Sequence, residues 1–82
     1  MVFIKDLKVG EVAEGIFSLR VKHEVRKYSK GYMMSFTISD STGEIGVKYW
    51  GGDRREDVDL VFNSLKKNDV VKIKGTVSEY KN

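Results

Sequence analysis

The sequence predicts an all-β domain carrying one short helix, and three observations predict it. Residues 33–50 alternate apolar and polar side chains on either side of an Asp-Ser-Thr-Gly turn. Residues 11–26 form a longer run rich in Val, Ile, Phe and Leu, the composition of a strand. One segment, opening near Asp53, spaces its apolar residues at the helical period. The 82 residues contain no repeat, linker or low-complexity tract, so 1–82 reads as a single domain, either whole or cut from a longer protein.

Residues 1–10 read as a lead-in. Phe3, Ile4, Leu7 and Val9 are apolar and Gly10 closes the segment, which suits a short strand or one helical turn plugging an end of the domain. The strand from Glu11 to Arg26 changes phase: Val12 and Ile16 hold even positions, whereas Phe17, Leu19, Val21 and Val25 are odd. One face accommodates both sets only if the strand bulges or coils, and Gly15 marks the expected place. A long first strand with a glycine kink suits a small, highly curved barrel, because it must pair with partners at both ends. Arg26-Lys27-Tyr28-Ser29-Lys30-Gly31 follows as a polar, basic loop.

In the hairpin, Met34, Phe36, Ile38, Ile45 and Val47 share one face. Met33, Ser35, Thr37, Ser39, Lys48 and Trp50 share the other. Asp40 and Ser41 bond back to the local backbone at the turn, and Gly43 tolerates a positive φ. Gly51-Gly52 breaks the sheet. Asp53 and Glu56 have the spacing of a capping box. Val58, Val61, Phe62 and Leu65 then make one apolar stripe of about three turns, ended by Lys66, Lys67 and Asn68. A last strand, residues 69–80, sets Val71, Ile73 and Val77 on one face and Lys72, Lys74, Thr76 and Tyr80 on the other.

Composition excludes several classes of function. Apolar residues make up 40% and charged residues 33%, ordinary for a globular domain, and no run approaches the roughly 18 apolar residues of a membrane helix. The first ten residues lack the basic head and longer apolar run of a signal peptide, so an intracellular setting, cytoplasmic or nuclear, is expected. With no cysteine and a single histidine, His23, the sequence offers no disulfide and no set of zinc ligands. Neither a nucleophile–base–acid arrangement nor a carboxylate cluster has a spacing that builds a catalytic constellation, and Gly51-Gly52 lacks the rest of a phosphate-binding loop. The expectation is a protein that is not an enzyme and carries no metal or cofactor.

Charge placement is more informative than net charge. Of fifteen basic and twelve acidic residues, six basic (Arg20, Lys22, Arg26, Lys27, Lys30, Lys48) and three acidic lie between Arg20 and Lys48, which leaves nine of each elsewhere. The whole surplus of +3 therefore falls in one segment, the footprint of a polyanion site. On the outward face of the hairpin, Trp50 beside Lys48 joins a flat aromatic to a cation, which suits a nucleobase attached to a phosphate.

Lys22-His23-Glu24-Val25-Arg26-Lys27-Tyr28, then Phe36-Thr37-Ile38-Ser39-Asp40-Ser41-Thr42-Gly43-Glu44-Ile45, then Trp50, resembles the single-stranded-DNA-binding OB domains of the replication protein A large subunit. Similar series occur in OB modules appended to nucleases and to aminoacyl-tRNA synthetases. The resemblance spans residues 11–80. It implies an OB-fold, a five-stranded Greek-key barrel whose second and third strands bind oligonucleotides. It also implies that Arg26 contacts phosphate or base, that Tyr28 occupies a first-loop aromatic position, and that Trp50 is the stacking aromatic of the third strand. Where the family often has a basic residue after the turn, this sequence has Gly46, and Lys48 is the replacement on the same face. The family's fifth strand has no counterpart before Asn82. The expectation is therefore a barrel truncated or open after its fourth strand, or one closed by a strand from a neighbouring chain or the N-terminal segment.

The expected binding set is Arg26, Lys27, Tyr28, Lys30, Met33, Lys48, Trp50, Lys72, Lys74 and Tyr80. Lysines and arginine would neutralise phosphates and the aromatics would stack bases. Tyr28 reads equally well as a stacking platform and as a plain loop aromatic, and Met33 as a base contact or a half-covered surface residue. The expected partner is single-stranded DNA, with RNA open, in replication or repair. Two alternatives stand beside it: an assembly module that adds a partner, another domain or a second copy at the exposed edge of the last strand, or an OB module belonging to a nuclease or tRNA-binding enzyme.

Overall fold

A computed structural model describes residues 2–78. The elements, in order, are a 3-10 turn Ile4–Asp6, β1 (Val12–Lys22), β2 (Arg26–Tyr28), β3 (Gly31–Asp40), β4 (Gly43–Trp50), α1 (Arg55–Ser64) and β5 (Val70–Thr76). All strand pairs are antiparallel. β3 organises the sheet. β4 runs along one edge of it from Met33↔Trp50 to Asp40↔Gly43. Along its other edge lie β1, through Ser18↔Ser39 to Lys22↔Phe36, and β2, through Arg26↔Met33 to Tyr28↔Gly31. β1 and β2 thus form one interrupted strand. The first part of β1 turns away to pair with β5, from Val12↔Thr76 to Ser18↔Val70. A strand with different partners at its two ends is what curls a sheet toward a barrel.

The alternation read in β3 and β4 is the alternation observed. Met34, Phe36 and Ile38 are buried with Phe17, Leu19 and Val58, and Ile45, Val47, Val61, Phe62, Leu65, Val71 and Ile73 pack around them. Full burial of a side chain such as Leu19 or Met34 contributes roughly 1.5–3 kcal/mol. Between β4 and β5 the barrel is open, and neither strand has a second strand partner among the described residues. A cleft of about 930 Å³ there reaches Phe17, Phe36, Ile38, Ile45, Val47 and Ile73. The N-terminal segment does not close it. Residues 2–10 form no strand; Ile4 instead donates its amide to Asp40 Oδ2 at 2.8 Å, while Val2 and Ile4 join the core. The single-turn reading of the lead-in was the right one.

Several local expectations are corrected. The phase change in β1 falls at Arg20, where the register with β3 slips between Leu19 and Val21, and not at Gly15. Leu19 points in and Val21 is exposed, while Val12 and Ile16 remain on the outer face. Gly15 is buried for a different reason: a Cβ there would come within 2.7 Å of the Phe17 ring. The loop expected at residues 26–31 is instead the short strand β2 and a Ser29-Lys30 turn, with Gly31 at φ +146°.

Gly43 does not take a positive φ. The Asp40 carboxylate closes that turn, accepting the Thr42 amide at 2.7 Å and the Thr42 hydroxyl at 2.5 Å. Gly51-Gly52 does not end the pairing either: Tyr32 donates to Gly52 O (2.9 Å) and Gly51 donates to Tyr32 O (2.8 Å). A Cβ on Gly31 would collide with the Gly52 carbonyl, and one on Gly51 with Val58. These two glycines let the β4–α1 connection lie flat against β3 and bring the helix onto the core.

The capping box does not form. Arg54 is the N-cap residue with no side-chain cap bond, and its Nε donates to Glu56 Oε1 at 3.0 Å. The apolar stripe of the helix does face the core, led by Val58. At its C-terminal end, Lys22 Nζ donates to Phe62 O at 2.6 Å and sits 4.0 Å from the Phe62 ring centre. A cation thus meets the negative end of the helix dipole, but it comes from β1. Lys66 and Lys67 lie beyond the last helical residue, Ser64.

Candidate nucleic-acid interface

Register fixes which side chains share the outer face of the sheet. Cross-strand partners point to the same side, so Arg26, Met33 and Trp50 form one row across β2, β3 and β4. Ser35 and Lys48 form the next, and His23 joins it by donating its amide to Ser35 O at 2.8 Å. Val21, Thr37 and Gly46 form the third. Tyr28, two residues from Arg26, lies on the same side of β2.

At the top of this face two aromatics meet. The Tyr28 and Trp50 ring centres are 4.9 Å apart with planes inclined by 64°, and the Tyr28 hydroxyl donates to Gly51 O at 2.9 Å. Trp50 is nevertheless 56% exposed, and Lys48 Nζ lies 5.7 Å from its ring centre. An open indole, braced by a second ring and flanked by a cation, offers a π face for stacking and a charge for the attached phosphate. Next along β4, Gly46 leaves the sheet bare, with nothing within 4 Å of where a Cβ would stand. A backbone surface without side chains admits close approach of a flat or sugar group.

The remaining expected residues separate. Lys27 pairs with Tyr32 and so lies on the side opposite Arg26. Lys30 sits in the β2–β3 turn and is exposed. Lys22, counted in the basic segment, is occupied at the helix end. Lys72 and Lys74 project from the outer face of β5; Lys72 lies 3.9 Å from Glu14 on β1, whereas Lys74 lines the same cleft as Lys48 and Trp50. Tyr80 lies outside the described residues. The arrangement brings Arg26, Tyr28, Met33, Lys48 and Trp50 together, with Lys74 across the cleft. Ser35, Thr37 and His23 also line it and were not among the expected contacts. Alternation alone already placed Ser35 and Thr37 outward, whereas His23 follows from its backbone bond to β3.

Electrostatics at the far end of the hairpin serve the fold. Partial desolvation raises the Asp40 carboxyl, but hydrogen bonds from the Thr42 hydroxyl and the amides of Ile4, Thr42 and Gly43 outweigh it and hold the group below its ordinary value. Among the described residues, no three His, Cys, Asp or Glu side chains come together in a metal-binding group, and no helix is long and apolar enough to cross a membrane.

A family model described as OB-fold nucleic acid binding domain, of the tRNA-anticodon type, matches residues 17–82, from the middle of β1 onward. No curated protein and no solved structure gives a significant match. The antiparallel, strongly curled sheet with one helix packed on β3 agrees with that family's architecture. The chain belongs to the family of OB-fold nucleic acid binding domains.

Proposed function

We propose that the domain binds single-stranded nucleic acid, DNA in preference to RNA, without catalysing a reaction and with little sequence preference. The observation that carries the reading is Trp50, exposed on the outer face, braced by Tyr28 and flanked by Lys48. One base stacks on Trp50, and Arg26, Lys48 and Lys74 neutralise neighbouring phosphates. Met33, between Arg26 and Trp50, gives an apolar contact to a base or sugar. Stacking tolerates any base, because every base has a π face, so composition matters more than sequence.

The preference for DNA, the kinship with the replication protein A type and a role in replication or repair rest on the resemblance of residues 22–50 to those domains. The tRNA-anticodon type of the matched family makes RNA the competitor to test. Anisotropy titrations of labelled single-stranded DNA, single-stranded RNA and duplex of one sequence separate these outcomes. Tightest binding to the DNA strand supports the proposal. Equal or tighter binding to RNA reassigns the substrate, and binding to duplex alone overturns it.

A further inference from the structure

The register slip in β1 leaves two neighbouring side chains on the same side of the sheet. Leu19 is inward and pairs with Ile38, while Lys22 pairs with Phe36 and reaches the helix. Alternation therefore puts Arg20 outward after Leu19, and register puts Val21 outward opposite Thr37. A bulge of this kind sets two residues against one and leaves the extra one out of the ladder. Arg20 is exposed, and its guanidinium makes no ion pair among the described residues. Val21 is apolar and yet 46% exposed.

The bulge stands beside the barest row of the outer face. Val21, Thr37 and Gly46 lie side by side across β1, β3 and β4, and a Cβ on Gly46 would meet nothing within 4 Å. This row lies about 13 Å from Trp50 along β4, by the rise of an extended strand. Lys48, in the row of Ser35, lies midway. Beyond Gly46, the next outward residue of β4 is Glu44, exposed and opposite Ser39. Along β4 the outer face thus presents an aromatic, a cation, an open floor and then an anion.

We propose that the Val21–Thr37–Gly46 row is a second nucleotide subsite, in which a base lies flat over Gly46 beside Val21. It rests on the single-strand function proposed for Trp50 and extends it. The Thr37 hydroxyl meets the edge of this base. Arg20 and Lys48 hold phosphates on either side of it, and Lys48 is shared with the base on Trp50. Glu44 ends the path, because a phosphate there would meet a like charge. All of these side chains stand on the face of the sheet, and none depends on the edge of β4 being unpaired.

Anisotropy with a labelled single-stranded DNA of about 15 nucleotides, within the reach of one OB-fold, tests the subsite. Trp50 fluorescence is read in the same samples, and circular dichroism confirms that each variant folds. Gly46→Val places a branched side chain where the base would lie, in space that is open in the free chain. It is expected to weaken binding by about tenfold, while a saturating strand still quenches Trp50. Gly46→Ala acts in the same direction and less. Arg20→Ala is expected to lower the slope of log K against log salt by about 0.7. Lys67→Ala, beyond the helix, leaves slope and affinity unchanged, and Glu44→Gln tightens binding. A Gly46→Val variant that binds as the wild type does, or an Arg20→Ala variant with the full salt slope, overturns the second subsite and leaves the Trp50 site standing. A wild-type chain that binds no single strand overturns both.

Discussion

Tyr28 and Trp50 meet edge to face, their ring centres 4.9 Å apart, and the Tyr28 hydroxyl is bonded to the carbonyl of Gly51, the residue after Trp50. One side chain therefore fixes both the ring and the backbone that carry the proposed stacking surface. Trp50→Ala should weaken single-strand binding by about 1–3 kcal/mol, measured by anisotropy. Because the indole is mostly exposed, the denaturation midpoint should hardly move. Tyr28→Phe keeps the ring contact and should cost less than Tyr28→Ala, which leaves Trp50 unbraced.

Salt dependence separates the two sides of the sheet. On a single strand each neutralised phosphate contributes about 0.7 to the slope of log K against log salt. Arg26→Ala and Lys48→Ala, on the Trp50 face, should each lower the slope by about that amount. Lys27→Ala, on the opposite side of β2, should leave it unchanged. Lys22→Ala should also leave the slope alone but lower stability, because that ammonium is bonded to the Phe62 carbonyl.

The glycines make sharply different predictions. Gly31→Ala forces a Cβ into the Gly52 carbonyl at a residue with φ +146°, and Gly51→Ala forces one into Val58. Each should destabilise the fold by on the order of 3 kcal/mol in urea titrations. Gly46→Ala enters open space and should change stability by less than about 0.5 kcal/mol.

Asp40 contributes to the acid limb of stability. Its carboxyl is held below the ordinary value in the folded chain, so its contribution is fully present above the unfolded value and is lost as pH falls through the folded one. Asp40→Asn should flatten the loss of stability on acidification and lower stability near neutral pH. Thermal melts across the acid range check both.

Much of the fold was legible because alternation survives wherever a strand has one buried face. Met34, Phe36 and Ile38, and the helix stripe led by Val58, are such cases. The bulge at Arg20 was not legible, because the odd apolar run continues through Val21 although Val21 faces solvent. Nor was β2: Arg26-Lys27-Tyr28 is polar, and it is a strand only because the Gly31 turn folds it back on β3. The capping box failed because Arg54, not Asp53, occupies the N-cap position. For the interface, hairpin phase placed Lys48 and Trp50 outward. That Tyr28 braces Trp50, that Lys27 faces away, and that Lys22 is tied to the helix depend on pairings between distant segments that no local pattern carries.

The most direct test of the central claim is quenching of Trp50, the only tryptophan. A mixed single strand of about 15 nucleotides, within the reach of one OB-fold, would be titrated at about 50 mM and about 200 mM salt, with the matching duplex as control. The account predicts strong quenching by the single strand that weakens with salt and is absent with duplex. Unchanged fluorescence at low salt, with no binding by anisotropy, would contradict it.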